Sequence, residues 1–419
     1  MTRTGSTALA AVALGLFLGC WSLLHHGTLG RSQLVDTGTY SHYGDAIAGG
    51  AVPYRDFRLE YPPGALPMFI LPAFGHESDQ AAYDRWFDRL MALCGCLTIV
   101  GAVLALRALG AGPLRTAAAL GTLAVSPVLL GSVVLSRFDF WPAALVALAV
   151  AALLWERLTL AALALGVAIA AKLWPAVLAP LALIWIWRTR GAREAAAWAV
   201  SLVAVDVVCF APFAILSPSG LWASFHTHIA RPLELESLGS ALLIAAHHLF
   251  GTHLAVVSSY GSQNPSGTGV HLLGTLTTVA DVAGVLAVWL LFARGPATPE
   301  RLVVHAAAAV TVLLAFAKVF SPQFLIWLVP LVPLVRGRRG LVAGGLLAAA
   351  LALTQTYFPR HYWALAIGLA PTQSWLVLTR DLVVVALAGV LMWPLPDEEL
   401  VGEGRARLAA LGRMRPRLD

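Results

Sequence analysis

Charged side chains are scarce in this sequence. Only 12% of its 419 residues are Asp, Glu, Lys or Arg, whereas 59% are hydrophobic and the mean hydropathy is +0.78. A soluble domain carries about 25% charged residues, so this composition excludes an ordinary soluble protein. The polar and apolar alternation that marks the strands of a membrane β-barrel is also missing.

Motifs for soluble catalysis and metal binding are missing as well. The sequence has no GxGxxG after a strand, no Walker A motif and no HExxH. Its histidines form no recognised ligand set, and its four cysteines lie in apolar runs without CxxC spacing. We therefore expect no metal and no cofactor. The net charge of +6 comes from Arg at the ends of apolar runs, without a basic stripe, so no nucleic-acid partner is expected either.

The sequence does contain a long series of apolar runs, many of them close to the length that crosses a bilayer as a helix. They predict an all-α polytopic membrane protein with about twelve transmembrane helices. The predicted spans are residues 8–24, 86–106, 116–135, 141–155, 158–171, 174–187, 195–216, 270–292, 302–317, 324–335, 341–358 and 375–393. Pro175 and Pro322 lie beside two short runs, which are expected to be kinked or shielded by neighbouring helices.

Short Arg-rich loops predict the orientation of these helices. By the positive-inside rule, the loops near residues 107–115, 188–193 and 336–339 face the cytoplasm, together with both termini. A single membrane domain, 1–396, then has a first outer loop at 25–85 and a long outer loop at 217–269, and 397–419 form a basic cytoplasmic tail. The first apolar run is expected to be an uncleaved span, with a cleaved signal peptide as the alternative.

Polar and aromatic segments gather on the outer face in this topology, which predicts one site at that membrane interface. Asp36 follows the first span and has two interpretations. It could act as a general base towards a hydroxyl group, or it could simply cap a helix over 37–47. Further along the first outer loop, Arg58 could bind a phosphate and Asp56 or Glu60 could hold sugar hydroxyls, although surface ion pairs explain them equally. The apolar run at 64–74 is too short to span and predicts an interfacial helix.

Lys172 and Lys318 are the two lysines among 28 basic residues, and each lies at the outer end of a predicted span. A cation at that depth is a functional hypothesis by default, although it could instead reach lipid headgroups. Together with Arg137 and Arg360 these lysines could bind a lipid-linked phosphate. Asp139 is the expected counter-ion.

These motifs together resemble a known family. An outer-loop Asp with the spacing D-x3-Y, then GG-x2-PYRDF-x2-EYPPG, RFD, AKLWP and KVFSPQFLIW, are similar to bacterial glycosyltransferase family 87. That family includes polyprenyl-phosphate-mannose-dependent mannosyltransferases. The resemblance implies a GT-C fold with outer-face interfacial helices, a polyprenyl-phosphate sugar donor and inverting transfer at the outer face of the plasma membrane. It also implies that Asp36 is the base, although Thr37 follows it where related enzymes often have a second acidic residue.

The implied activity is transfer of a hexose, with mannose as the first candidate, to a glycolipid or glycan acceptor among membrane lipids. Cations stabilise the leaving phosphate without a metal. The predicted phosphate-binding residues are Arg58, Arg137, Lys172, Lys318 and Arg360. The predicted substrate-binding residues are Tyr40, Asp56, Glu60, Tyr61, Asp139, Trp174, Gln323 and His361.

Alternatives remain open on the sequence alone. A related GT-C enzyme could transfer another lipid-linked sugar, such as arabinofuranose or aminoarabinose, or could mannosylate proteins. A lipid or glycan transporter or flippase would show internal repeats and polar helix breaks at mid-membrane, and neither is evident here. A purely structural membrane subunit is the remaining alternative.

Overall fold

The structure is a computed structural model that describes residues 3–27, 29–30 and 32–393. Its described part is predominantly helical, as the sequence predicts. The helices are α1 (Arg3–Leu23), α2 (Thr37–Ala48), α3 (Leu66–Ala73), α4 (Gln80–Ala108), α5 (Pro113–Leu130), α6 (Phe140–Leu154), α7 (Leu158–Ala171), α8 (Ala179–Arg190), α9 (Ala192–Leu216), α10 (Pro218–Ala230), α11 (Leu238–Phe250), α12 (Val270–Arg294), α13 (Pro299–Ala315), α14 (Gly337–Tyr357), α15 (Tyr362–Gly368) and α16 (Pro371–Met392). The predicted tail at 397–419 lies outside the described residues.

Seven of these helices are long and apolar enough to cross a membrane, which agrees with a multi-pass membrane protein. They are α1, α4, α5, α9, α12, α14 and α16. The other predicted spans form shorter helical segments. The 15 residues of α6 extend only about 22 Å at 1.5 Å per residue, less than the roughly 30 Å of a hydrocarbon core. The twelve apolar runs are thus all helical, but only some are full-length spans.

The short helices α6 and α7 lie in the interior of the bundle, where α6 packs against α4. Small residues permit this close approach, because lipid supplies no hydrophobic force between helices and contact depends on packing. A Cβ atom added to Gly101 of α4 would lie only 2.7 Å from the Cβ of Ala147 in α6. Most of α6 is buried as a result, including Phe140 and Val146.

Two proline-containing segments break the regular helical pattern, as the sequence predicts. Residues Trp174–Leu178 and Pro322–Leu328 are 3-10 helices, with proline in the first turn of each. Proline cannot donate a backbone hydrogen bond and is best accommodated in the first turn of a helix. The two broken segments bring the aromatic side chains of Trp174 and Trp327 into contact at one end of the bundle.

The predicted outer loops contain more regular structure than the sequence indicates. In the first loop, α3 is the expected short apolar helix. In the predicted long loop, a β-hairpin is present that the sequence analysis did not predict. Strands β1 (Leu254–Ser259) and β2 (Ser262–Gly267) pair antiparallel across a turn at Tyr260 and Gly261, both with positive φ. Such turns match the natural twist of a hairpin. Neither strand shows the alternation of apolar and polar residues that indicates a strand in a sequence, because β1 is LAVVSS and β2 is SQNPSG.

Candidate active site

A cavity of about 870 Å³ opens where α6 begins, α7 ends and the first loop folds back on the bundle. It is bounded by the start of α2, the start of α6, the end of α7, the two broken segments, the turn of the β-hairpin and the region around α15. Its lining combines aromatic rings with ionised side chains. Binding sites for small molecules and lipids commonly have this combination of apolar walls and a few convergent polar groups.

Asp36 and Arg137 form an ion pair on one wall of this cavity. Asp36 occupies the N-cap position of α2, but its side chain makes no capping hydrogen bond. The capping interpretation is therefore right about the position of Asp36 and wrong about the hydrogen bond of its side chain. The Tyr40 hydroxyl donates a long hydrogen bond of 3.5 Å to the Asp36 carboxylate. Burial of the Arg137 guanidinium opposes its charge, but the Asp36 carboxylate outweighs this and raises the pKa of Arg137.

A second ion pair lies deeper in the cavity wall. Asp139 is only 1% exposed, and its Oδ1 accepts hydrogen bonds from Lys172 Nζ and Trp327 Nε1, each at 2.6 Å. Burial lowers the pKa of Lys172, although the Asp139 carboxylate opposes that shift. The Lys172 ammonium also lies 4.9 Å from the ring centre of Phe138 and 5.0 Å from that of Phe324, where the ring faces favour a cation.

Stacked aromatic rings form the apolar part of the wall. Trp174 and Trp327 stack with centroids 5.1 Å apart and planes 7° apart, and Phe324 stacks on Trp327 at 4.2 Å. On the Asp36 side, Tyr40 and Tyr61 pack edge to face at 5.7 Å. Such rings offer flat apolar surfaces to a sugar or to a hydrocarbon chain.

The structure brings most of the sequence-predicted residues to this cavity. Those that line it are Asp36, Tyr40, Glu60, Tyr61, Arg137, Asp139, Lys172, Trp174 and Gln323. They come from distant parts of the chain, yet one cavity contains the predicted base, two of the predicted cations and the expected counter-ion of Lys172.

Five predicted residues lie elsewhere and do not line the cavity. Arg58 donates to Thr227 Oγ1 at 2.7 Å, and Lys318 Nζ donates to the backbone oxygen of Ile229 at 3.3 Å. Asp56 is ion-paired with Arg55. The remaining two, Arg360 and His361, are exposed on the segment between α14 and α15.

Asp56 therefore differs sharply from Asp36 in its surroundings. The hydrogen bonds from Arg55 and from the backbone N–H of Val52 hold the pKa of Asp56 at about 2. A carboxylate stabilised in this way is a poor acceptor for a proton, and its contacts serve the fold of the loop.

Two cavity residues that the sequence analysis missed are carboxylates of the long outer loop. Glu234 and Glu236 lie between α10 and α11 and are 5% and 2% exposed. Their signal was present, because two glutamates in RPLELES are conspicuous in a chain with only 22 acidic residues. Within the described residues, no group of three or more His, Cys, Asp or Glu lies close enough together to hold a metal ion.

Comparison with known proteins places this chain in a family. No curated protein sequence matches it. Among solved structures, the crystal structure of ArnT from Cupriavidus metallidurans bound to undecaprenyl phosphate is similar to it, with 16% identity, a TM-score of 0.48 and coverage of 93% of this chain and 78% of that chain. The sequence model of glycosyltransferase family 87 matches residues 59–322, more than half of the chain. The chain therefore belongs to glycosyltransferase family 87.

Proposed function

We propose that this glycosyltransferase transfers a hexose, with mannose as the first candidate, from a polyprenyl-phosphate donor to a hydroxyl group of a glycolipid or glycan. One observation carries the proposal: Asp36, Arg137 and Lys172 line a single cavity with stacked aromatic rings. A base and two cations are what this reaction needs, because a hydroxyl must lose a proton while a phosphate leaves with negative charge.

The chemical step is an inverting displacement. The acceptor oxygen forms a bond to the anomeric carbon, and the bond from that carbon to the phosphate oxygen breaks. The bonding electrons leave with the phosphate, and the acceptor proton passes to the Asp36 carboxylate. Arg137 now pairs with Asp36, but a bound phosphate would compete for its guanidinium and leave Asp36 free to accept the proton.

The donor phosphate is expected on the side of Arg137 and Lys172. Lys172 is held by Asp139 and by three aromatic rings, so its ammonium is positioned before the donor binds. Such preorganised charges stabilise the leaving group without reorganisation during the reaction. The stacked Trp174 and Trp327 would contact the sugar or the first prenyl units.

The cavity is proposed to open at the outer membrane face. It lies where α6 begins and α7 ends, whereas Arg157 lies in the short loop that joins the opposite ends of those helices. The positive-inside rule assigns such loops to the cytoplasm. A lipid-linked donor suits an outer site because no soluble nucleotide sugar is then needed there.

Replacement of Asp36 by Asn tests the proposal. Purified full-length protein is incubated with undecaprenyl-phosphate mannose and octyl α-mannoside, and the transferred mannose is measured. Loss of the base should lower kcat about 10²–10⁴-fold and leave donor binding little changed.

Asp56→Asn is the matched control, because Asp56 lies in the same loop but outside the cavity lining; it should keep near-normal transfer. Undiminished transfer by Asp36→Asn would remove Asp36 as the base. No transfer from any polyprenyl-phosphate sugar by the unmodified protein would contradict the proposed donor.

A further inference from the structure

The cavity has a second polar wall, and the reaction proposed for Asp36, Arg137 and Lys172 does not use it. It is formed by residues 231–237, the segment between α10 and α11. Arg231, Glu234 and Glu236 from this segment line the cavity, and both carboxylates are almost completely buried. Burial of two carboxylates is costly unless each is paired or hydrogen-bonded. The partners of these carboxylates therefore indicate which of them is structural and which could bind a ligand.

Glu236 is held by residues of two helices. The Tyr357 hydroxyl donates to its Oε1 at 2.7 Å, and the Arg380 side chain donates to its backbone oxygen at 2.7 Å. Tyr357 and Arg380 are themselves fully buried in α14 and α16. Glu236 therefore fixes the segment to the bundle.

Glu234 is only half engaged. Ser321 Oγ donates to its Oε1 at 2.9 Å, and its backbone N–H donates to the Lys318 carbonyl at 2.8 Å. Its Oε2 is buried and has no hydrogen-bond partner within the described part of the chain. A buried acceptor left unpaired costs about 1–3 kcal/mol, and native structures rarely tolerate one without a ligand or an ordered water. The Phe320 backbone N–H also lies close to this carboxylate, so the side chain is held in place although its Oε2 has no hydrogen-bond partner among the described residues.

Charged groups of both signs lie around this wall, which narrows the class of ligand. Burial, with the nearby Glu234 charge, raises the pKa of Glu236, and burial also raises the pKa of Glu234. The guanidiniums of Arg231 and Arg380 lie near these carboxyl groups. A second phosphate would lie beside the buried carboxyl groups and an ammonium group would lie beside two guanidiniums, so neither charge is favoured. A neutral ligand rich in hydroxyl groups fits.

This wall faces the same space as the reacting groups. Tyr362 lines the cavity together with Asp36 and Arg137 and with Glu234 and Glu236. Burial raises its pKa, with further raising by Glu236 and Glu234, while Arg137 lowers it. Tyr362 is therefore close enough to feel the charges of Glu234, Glu236 and Arg137.

We propose that Glu234, positioned by Ser321 and beside Glu236, accepts hydrogen bonds from the ring hydroxyls of a neutral sugar and so holds the acceptor opposite the donor phosphate. This inference rests on the proposed function and narrows its acceptor to a glycan or glycolipid. A serine or threonine side chain offers one hydroxyl and could not both react at Asp36 and contact Glu234.

The test separates acceptor binding from donor binding in the full-length protein. Glu234→Gln keeps the size of the side chain but replaces one acceptor oxygen by a donor. It should weaken binding of octyl α-mannoside and of methyl α-mannoside about tenfold, measured by saturation-transfer NMR, and change binding of undecaprenyl phosphate less than twofold. Retained undecaprenyl phosphate binding also shows that the variant is folded. The two mannosides distinguish a lipid-linked acceptor from a free glycan by which one binds more tightly.

Two further variants sharpen the result. Ser321→Ala loosens Glu234 without removing it and should weaken mannoside binding by a smaller factor. Glu300→Gln, in the first turn of α13 and outside the cavity lining, should change neither affinity.

Unchanged mannoside affinity in Glu234→Gln, or no mannoside binding by the unmodified protein, would overturn the inference. So would weaker undecaprenyl phosphate binding alone, because Glu234 would then serve the donor. If mannosides bind through Glu234 but no sugar is transferred, the inference stands and the proposed function fails.

Discussion

At the scale of single residues, Asp139 holds two side chains of the cavity wall with one carboxylate oxygen. It is almost completely buried, and one of its oxygens accepts hydrogen bonds from both Lys172 and Trp327. A buried ion pair contributes little net stability compared with apolar packing, but removing one partner leaves an unpaired buried charge. The pair is therefore expected to serve the site rather than the fold.

Asp139→Leu should destabilise the protein by about 3–5 kcal/mol, because it leaves the Lys172 ammonium buried without its counter-ion. Adding Lys172→Met should recover most of this loss, since two apolar side chains then replace the pair. Thermal unfolding in detergent measures both. Transfer activity should stay low in the double variant, because the phosphate loses a cation.

The matched control is Arg190→Met, which removes one partner of an exposed pair with Glu156. Exposed pairs are worth about 0–1 kcal/mol, so this variant should unfold close to the normal temperature. If the double variant is no more stable than Asp139→Leu, the unpaired Lys172 charge is not the cause of the lost stability.

At the scale of elements, Gly64 determines how the first outer loop meets the bundle. A Cβ atom at this position would lie 2.5 Å from backbone atoms of Ala170 and Ala171 at the end of α7. The Trp141 indole of α6 donates to the Gly64 carbonyl at 3.0 Å. The glycine thus seats the loop that carries Tyr61 directly against the turn that carries Lys172.

Gly64→Ala should therefore push the loop away from α7 and lower transfer activity by about tenfold or more. Overpacking of this kind costs about 1–3 kcal/mol, so the unfolding temperature should fall as well. Gly38→Ala in α2 is the control, because a Cβ there meets no atom within 4 Å. Normal activity in Gly64→Ala would show that the contact with α7 does not position the site.

At the scale of the whole molecule, arginines at one end of the bundle hold the helix ends together. Arg188 donates to the backbone oxygen of Ala293 at 3.0 Å, and Arg115 donates to that of Leu334 at 2.7 Å. The candidate active site lies away from these loops. This separation, with the positive-inside rule, predicts that the hairpin turn is outside and the arginine loops are inside.

Cysteine labelling in intact cells tests this orientation. In a background without the four native cysteines, Ser258→Cys in β1 should react with a membrane-impermeant maleimide added outside. Ala192→Cys at the start of α9 should react only after permeabilisation. Both positions are exposed, so a reversed pattern would place the cavity on the cytoplasmic face.

Local patterns in the sequence were sufficient for much of the architecture. Apolar run length predicted the helical segments, and Pro175 and Pro322 predicted the breaks between them, because both are short-range properties of the chain. The motifs also carried the family resemblance, and the match to family 87 over residues 59–322 confirms it. The β-hairpin was missed because its strands show no alternating pattern and are stabilised by pairing and by Asn264, which is buried and donates to the Ser259 carbonyl at 2.9 Å.

The sequence by itself determined that this is a multi-pass membrane protein with a polar, cation-bearing set of loops, since hydropathy and charge are summed along the chain. Only the tertiary structure decided which of those charges meet. It paired Asp36 with Arg137 and Lys172 with Asp139, placed Lys318 and Arg360 outside the cavity lining, and brought Glu234 into it. Electrostatic and hydrogen-bond interactions act over a few ångströms in space, and residues as far apart in the chain as Asp36 and Arg137 acquire such distances only when the chain folds.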